Sequence, residues 1–225
     1  MTAAEKKRCK NLHIDANRYK AEDVDCKLCT EYPCGVPDGK GVCPWLAERI
    51  GAGAAGYGEA VRSGVSRPGW LDSRLEIIIQ RFSGSLFRDA EHRQRWEDMM
   101  ALTGFRLRLD VPERAAALFL LTAEPDLYQR CEPCFCWQRL DFSLVDLRGI
   151  TPRDYALFHA AKDFYGKASG VCLEDLASAE DVDEDAFSLI INAILIARYG
   201  SAALEIVRRD TVWEVPVSPG RPKKS

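Results

Sequence analysis

Four cysteines lie close together in the N-terminal part of the chain, at spacings that suit a metal ion. Cys26 and Cys29 enclose two residues, Cys34 follows after four more, and Cys43 after a further eight. Zinc prefers four thiolate or imidazole ligands in a tetrahedron, and a Cys-x-x-Cys turn presents two thiolates along one edge of it. The spacing therefore predicts a zinc site with Cys26 and Cys29 as one pair and Cys34 and Cys43 as the other.

Two residues upstream are alternative ligands for this site. Cys9 and His13 precede the four cysteines, and Cys9 could replace Cys34 as the fourth ligand. An iron–sulfur cluster also needs four thiolates, and a set of unrelated buried thiols is the remaining alternative. Because four protein ligands leave zinc no open position, the predicted role is structural rather than hydrolytic.

A second group of cysteines stands in the middle of the chain. Cys131, Cys134 and Cys136 place three sulfur atoms within six residues, which is one ligand short of a zinc site. Cys172 or His159 could complete the set through the fold. The simpler interpretation is a turn between helices, in which the thiols pack as small hydrophobic groups.

Two further patterns resemble sites of chemistry but have simpler explanations. Residues 51–56 match Gly-x-Gly-x-x-Gly, but a dinucleotide site needs a strand before the glycines, and the preceding residues predict a helix. Asp89 and His92 are one helical turn apart, as are His159 and Asp163. A helix cap and a surface pair explain these histidines better than an acid–base couple, because no nucleophile with an orienting base stands out.

The composition is that of an ordinary globular protein without a basic signature. The 225 residues are 47% hydrophobic, and 31 Lys and Arg nearly balance 34 Asp and Glu, giving a net charge of -3. The N-terminus does not read as a signal peptide, and the longest apolar run, around Leu189–Ala197, is too short to span a bilayer. We therefore expect a cytoplasmic protein with no membrane partner, in which the grouping of the nine cysteines favours metal ligands over disulfides.

The hydrophobic periodicity predicts a mainly α-helical chain. Pro44 suits the first position of a helix that runs to about Ser63, and residues 75–82 fit a short helix better than a strand. Residues typical of helix N-termini predict four later helices. They are the capping residues Asp89 and Thr151, Pro112, and the acidic residues 183–185. Residues 204–207 and 212–217 predict a short strand.

These elements predict a small zinc-stabilised N-terminal module followed by an irregular helical-bundle domain. Residues 9–45 are rich in turn formers and too irregular for an apolar core, so a metal must take its place. The predicted boundaries are 1–64 for the metal-binding module with its trailing helix, 65–84 for a linker with a short helix, 85–208 for the helical domain and 209–225 for a basic tail.

Residues 85–200 resemble a family of small helical domains of unknown function, found in bacterial mobile elements and prophages. The resemblance rests on five segments, Leu86–His92, Ala116–Leu121, Asp126–Tyr128, Asp163–Gly166 and Val182–Gly200. These are core and capping residues, so the resemblance implies a fold and carries over no catalytic residue. The chain departs from the family in the cysteine-rich stretch 131–137, and the N-terminal cysteines lie outside the resemblance.

Two functions are consistent with the sequence. The first is a non-catalytic zinc-binding interaction module in a mobile-element-associated protein, with a protein or a nucleic acid as its partner. Basic residues near the zinc cluster could contact phosphates, but acidic residues are interleaved with them. The alternative is a metal- or thiol-dependent enzyme that uses the Cys131–Cys136 region.

Overall fold

The part of the chain that the computed structural model describes is mainly α-helical, which confirms the predicted class. It comprises residues 46–51, 55–65, 69–105, 111–166, 175–176 and 178–206. In chain order, its helices are α1 (Leu46–Gly51), α2 (Tyr57–Gly64), α3 (Asp72–Arg81), α4 (Ala90–Leu102), α5 (Pro112–Leu121), α6 (Pro125–Cys131), α7 (Pro152–Gly166) and α8 (Glu184–Tyr199). The predicted zinc module falls on residues outside these ranges.

Short irregular elements connect the helices. They include 3-10 turns at Gly69–Leu71, Glu132–Cys134, Phe142–Leu144 and Gly200–Glu205. Two very short antiparallel strands, β1 (Phe135–Cys136) and β2 (Arg139–Leu140), form a hairpin in which Phe135 pairs with Leu140 and Cys136 with Arg139. The 3-10 turn Glu132–Cys134 links α6 to this hairpin, and the two together stand where a simple turn was predicted.

The helix starts that were predicted from capping signals are confirmed. Asp89 Oδ1 accepts a hydrogen bond from the His92 amide at 2.7 Å, and Asp183 Oδ1 accepts one from the Ala186 amide at 2.8 Å. Pro112 begins α5, where its missing N–H group leaves no intrahelical bond unmade. Each of these helices therefore begins where its own sequence satisfies or removes the free amides of the first turn.

Two predictions of secondary structure differ from the structure, and the preference for a helix over a strand at residues 75–82 is confirmed. The single helix expected to run to Ser63 is interrupted, because Gly56 is extended (φ -91°, ψ 174°) and caps α2. A glycine-rich stretch has low helix propensity, so a break there is inexpensive. Residues 204–205 belong to a 3-10 turn rather than a strand, and residues 207 and 212–217 of the predicted strand lie outside the described residues. Helix α3 confirms a helix over most of 75–82.

The core is organised around α8. This helix packs against α5 and α7 and also contacts α2 and α3. Both α5 and α8 are buried along most of their length, since neighbours cover them on more than one face. Leu46 and Ile50 of α1 join the same hydrophobic cluster, packing near the 3-10 turn Gly200–Glu205. The predicted domain boundaries stay predictions.

One buried polar group interrupts the apolar surface of α8. Asn192 Oδ1 accepts a hydrogen bond from the Tyr57 hydroxyl at 2.7 Å, and Asn192 Nδ2 donates one to the Leu86 carbonyl at 2.8 Å. The Tyr57 ring also stacks on Phe82, with ring centroids 3.9 Å apart. Asn192 therefore joins α8 to two segments more than 100 residues away in sequence.

Candidate functional site

The predicted zinc ligands lie outside the described residues. Cys26, Cys29, Cys34 and Cys43, and the alternates Cys9 and His13, all fall within residues 1–45. The zinc site therefore stays a prediction from spacing. Among the described residues, no group of three His, Cys, Asp or Glu side chains could hold a metal ion.

The second cysteine group lies within the described residues, and its backbone changes from helical turns to an extended strand. Cys131 ends α6, which Pro125 begins. Pro133 lies in the following 3-10 turn, which Cys134 ends, and Cys136 is in β1. The Cys134 carbonyl accepts a hydrogen bond from the Asp141 amide at 2.9 Å, which ties the turn to the residue after β2.

Burial separates these three cysteines into a pair and a single residue. Cys131 and Cys134 are fully buried. Cys136 is partly exposed. The burial of Cys131 and Cys134 agrees with the simpler interpretation for these two thiols, which pack as small hydrophobic groups.

The environment of Cys131 opposes ionisation of its thiol. The hydrogen bond with Cys134, burial and the nearby carboxylate of Asp154 all raise the pKa of Cys131. Asp154 is itself almost fully buried at the start of α7 and accepts a hydrogen bond from the Thr151 hydroxyl at 2.9 Å. Because the thiolate is the form that attacks substrates and binds metals, this site does not favour either chemistry at neutral pH.

The two histidines in the described ranges have structural surroundings. His92 Nδ1 accepts a hydrogen bond from the Arg88 amide at 3.2 Å, so its Nε2–H donates to the Phe119 carbonyl at 2.8 Å. Burial lowers the pKa of His92 to about 4. The ring of His159 lies 4.2 Å from that of Tyr155, and burial lowers the pKa of His159. His92 is thus a neutral core residue that joins α4 to α5.

The glycine motif at residues 51–56 lacks the context of a dinucleotide site. A helix, α1, precedes it and includes Gly51, while Gly56 caps the next helix. Gly53 lies outside the described residues. The expectation that a helix rather than a strand comes before the glycines is confirmed.

Sequence reasoning missed a cluster of charges where four helices begin. The Arg88 guanidinium contacts Glu124, and Arg153 Nη1 lies 3.7 Å from the same carboxylate. Arg153 also binds Asp183 at 2.7 Å and Asp185 at 3.2 Å. Burial opposes ionisation of Asp183, but the Ala186 amide and Arg153 hold its pKa below the usual range. These ion pairs join residues far apart in sequence, so no local sequence pattern predicts them. The cluster joins the N-terminal ends of α4, α6, α7 and α8.

Sequence reasoning also missed an exposed tryptophan at the tip of the hairpin. Trp137 is 61% exposed, and its six-membered ring lies over Gly104, just after α4. Gln138 has φ +60°, and its amide donates a 2.7 Å hydrogen bond to the Thr103 carbonyl. Leu102, the last residue of α4, is 52% exposed. We call Trp137 and Leu102 the Trp137 surface.

The backbone at this tip is held in an uncommon conformation. A residue other than glycine in the left-handed region costs about 1–2 kcal/mol and persists where the surroundings fix it. Here the bond from Gln138 to Thr103 and the close approach of Trp137 to Gly104 supply that fixation. A two-residue hairpin turn is usually predicted from pairs such as Asn-Gly or Asp-Gly. The pair Trp-Gln is not typical of such turns, so the sequence did not predict this one.

The described residues line a small, partly open cavity near the end of α8. Its volume is about 40 Å³, and its lining is mainly apolar, with Trp96, Met100 and Ile196 among the lining residues. Pockets for small-molecule ligands usually occupy roughly 300–1,000 Å³. The part of this cavity that the described residues form, at the end of α8, is therefore smaller than a typical small-molecule pocket.

The segment Glu184–Glu205 is long and apolar enough to span a membrane, judged by length and composition. Its mean hydropathy is 1.6, and half of the tested window is buried inside the protein. The core helix of a soluble protein passes the same test. In this structure the segment comprises α8 and its 3-10 turn, which pack against other helices.

Comparisons with protein-family models, with curated proteins and with solved structures found no match to this chain.

Proposed function

We propose that this protein is a zinc-stabilised, non-catalytic interaction module whose partner is another protein. The observation that carries the proposal is the Trp137 surface, where a largely exposed tryptophan is fixed on a constrained turn. Tryptophan is over-represented among the residues that dominate binding energy at protein interfaces. A side chain already held in place loses less conformational entropy on binding.

The zinc site would hold the N-terminal segment in one conformation. Cys26, Cys29, Cys34 and Cys43 would supply four thiolates, with Cys9 or His13 as alternative ligands, and structural zinc can contribute roughly 10 kcal/mol or more to folding. The resemblance of residues 85–200 to domains of mobile elements and prophages suggests a role in such an element. Both parts of this proposal rest on sequence patterns.

The Cys131–Cys136 region gives less support to the enzyme alternative than to the interaction module. Thiol catalysis needs a thiolate that substrate can reach. The two central thiols are buried, and the pKa of Cys131 is raised. Cys136 is the accessible thiol of the group. These properties favour a packing role for the pair.

A protein partner is also better supported than a nucleic acid. Nucleic-acid binding usually rests on a basic patch, but Arg139, the charged residue nearest Trp137 in sequence, lies 3.9 Å from the Asp141 carboxylate. The chain as a whole has a net charge of -3. An apolar side chain inserted beside Trp137 is the partner feature that we propose.

Site-specific photo-crosslinking tests the surface. A benzophenone amino acid at Trp137 should give one discrete crosslinked protein in cells that carry the gene. The same probe at Tyr155, which is 49% exposed on α7, is the matched control and should give none. Equal crosslinking from both positions would contradict a specific surface, and a crosslink to nucleic acid would show that the other partner class is correct.

Metal analysis of the purified full chain tests the zinc site separately. About one zinc per chain is expected, as for a four-ligand structural site. Cys26→Ser should remove it, whereas Cys136→Ser is the control that should retain it. Comparison of Cys9→Ser with Cys34→Ser identifies the fourth ligand. Iron with its visible absorption, or no metal at all, would contradict the assignment.

A further inference from the structure

The partly open apolar cavity lies where α4, α5 and the end of α8 meet. Met100 of α4, Ile196 of α8 and Leu204 of the 3-10 turn Gly200–Glu205 are among its lining residues. Its volume is about 40 Å³. Apolar surface that stays open to water is unfavourable, and an apolar side chain that covers it recovers free energy. The cavity therefore suits one apolar side chain of modest size.

An arginine beside this cavity has a buried donor without an acceptor. Arg114 is in the first turn of α5, between the lining residues Pro112 and Ala115. Its guanidinium carbon lies 5.4 Å from the centroid of the Phe105 ring, which also lines the cavity. Arg114 Nη1 is buried, and no described residue accepts a hydrogen bond from it. Because such a donor is costly to leave unpaired, the position favours a carboxylate, which forms strong charge-assisted bonds with a guanidinium.

The two features together define the chemistry of a ligand. Phe105 lines the cavity and contacts Arg114, so the apolar and the basic parts of the site are neighbours. In an extended peptide, residues two apart point to the same face and lie roughly 7 Å from each other. The site therefore fits an extended peptide in which an apolar residue and an acidic residue are separated by one position.

The chain itself carries such a segment, in a part outside the described residues. Val212 and Glu214 are separated by one residue, within the stretch 212–217 that predicts a strand. Val212 comes eight positions after the lining residue Leu204. Eight extended residues span up to roughly 27 Å, so the segment has ample length to return to the cavity.

We propose that residues 212–214 dock at this site, with the Val212 side chain over the cavity and the Glu214 carboxylate on Arg114. Glu214 then accepts the hydrogen bond that Arg114 Nη1 makes to no described residue. The docked segment covers the junction of α4, α5 and the 3-10 turn and ties the C-terminal part of the chain to the helical core. This contact is independent of the zinc site and of the Trp137 surface.

Zero-length crosslinking of the full chain tests the contact between positions 114 and 214. Arg114→Lys keeps the positive charge and supplies a primary amine, which a carbodiimide joins to a carboxylate in direct contact with it. Mass spectrometry of the digested monomer should find position 114 bonded to Glu214. Glu214→Gln should abolish this bond. Asp210→Asn, which removes another acid of the same stretch, is the matched control and should leave the bond in place.

A second variant tests the apolar half of the site. Val212→Asp, made in the Arg114→Lys chain, should lower the yield of the bond by roughly tenfold, because it removes the apolar contact. Circular dichroism verifies that the helices are retained in each variant. An unchanged yield from Val212→Asp would overturn the assignment of the cavity to Val212.

The other possible occupants give different products. A bond from position 114 to Asp110 would assign the site to the segment that joins Phe105 to Val111, and a bond between two chains would assign it to a second copy. Either product, or no bond at position 114 in a folded monomer, would overturn the proposal.

Discussion

Substitution of Gly104 by alanine tests whether the hairpin tip is held as the structure indicates. Gly104 has φ +72°, and a Cβ atom there would lie 2.7 Å from the nearest ring carbon of Trp137. Two effects should add: the left-handed conformation costs alanine about 1–2 kcal/mol, and Trp137 must move off the glycine. Trp137 is 61% exposed, so displacement forfeits the burial of the remaining two fifths of its surface.

The size of the second effect follows from that buried area. A tryptophan buries roughly 200 Å² when fully covered, and two fifths of this at about 25 cal/mol per Å² is about 2 kcal/mol. Gly104→Ala should therefore destabilise the protein by about 3–4 kcal/mol. In a chain of this length that lowers the melting temperature by roughly 10 °C. Urea denaturation and thermal melting measure both quantities.

Gly149 provides a matched control for the backbone part of the effect. Its φ is +69°, but a Cβ atom there would meet nothing within 4 Å. Gly149→Ala should thus lose only about 1–2 kcal/mol. In a Trp137→Ala background, Gly104→Ala should cost no more than Gly149→Ala does. Equal losses for the two glycines in the native background would refute the contact between Trp137 and Gly104.

Two further predictions concern the core and are measured by denaturation. Asn192→Leu should cost about 2–4 kcal/mol, because it leaves the Tyr57 hydroxyl and the Leu86 carbonyl without their partner. Tyr57→Phe combined with it should cost less than the sum of the single changes, and simple additivity would contradict the bond. Burial lowers the pKa of His92 to about 4 from 6.5, so its contribution should be complete above about pH 6.5. It should fall by up to about 3 kcal/mol as the pH drops to 4, and a His92→Gln variant that retains this pH dependence would contradict the assignment.

Local signals predicted the helix starts well, because the atoms that decide them are close in sequence. Asp89 and Asp183 cap their helices through amides three residues away, and Pro112 needs no partner at all. The single helix expected to continue to Ser63 is interrupted at Gly56, because glycine has a low helix propensity. Hydrophobic periodicity alone did not show that break.

The features of the candidate sites were harder to predict, because they depend on contacts between distant segments. The exposure of Trp137 follows from a hairpin whose turn is fixed by Thr103, 35 positions earlier in sequence. The pKa of Cys131 is raised by Cys134 and by burial, and Asp154, which a separate helix brings to it, raises it further. Spacing could identify Cys131 and Cys134 as a Cys-x-x-Cys pair, but it could not show that both are buried.

The position of α8 in the chain has a consequence for synthesis on the ribosome. The helix is the last long one in the described chain, and it packs against α2, α3, α5 and α7, all of which are translated before it. The parts of these earlier helices that pack against α8 stay uncovered until residue 199 has been made and has left the exit tunnel, although α5 and α7 also pack against each other. Exposed apolar surface of this kind favours aggregation and chaperone binding. The protein therefore completes its core only after α8 has been synthesised, and chaperones that bind the uncovered surface of α5 and α7 in that interval should raise its yield in the cell.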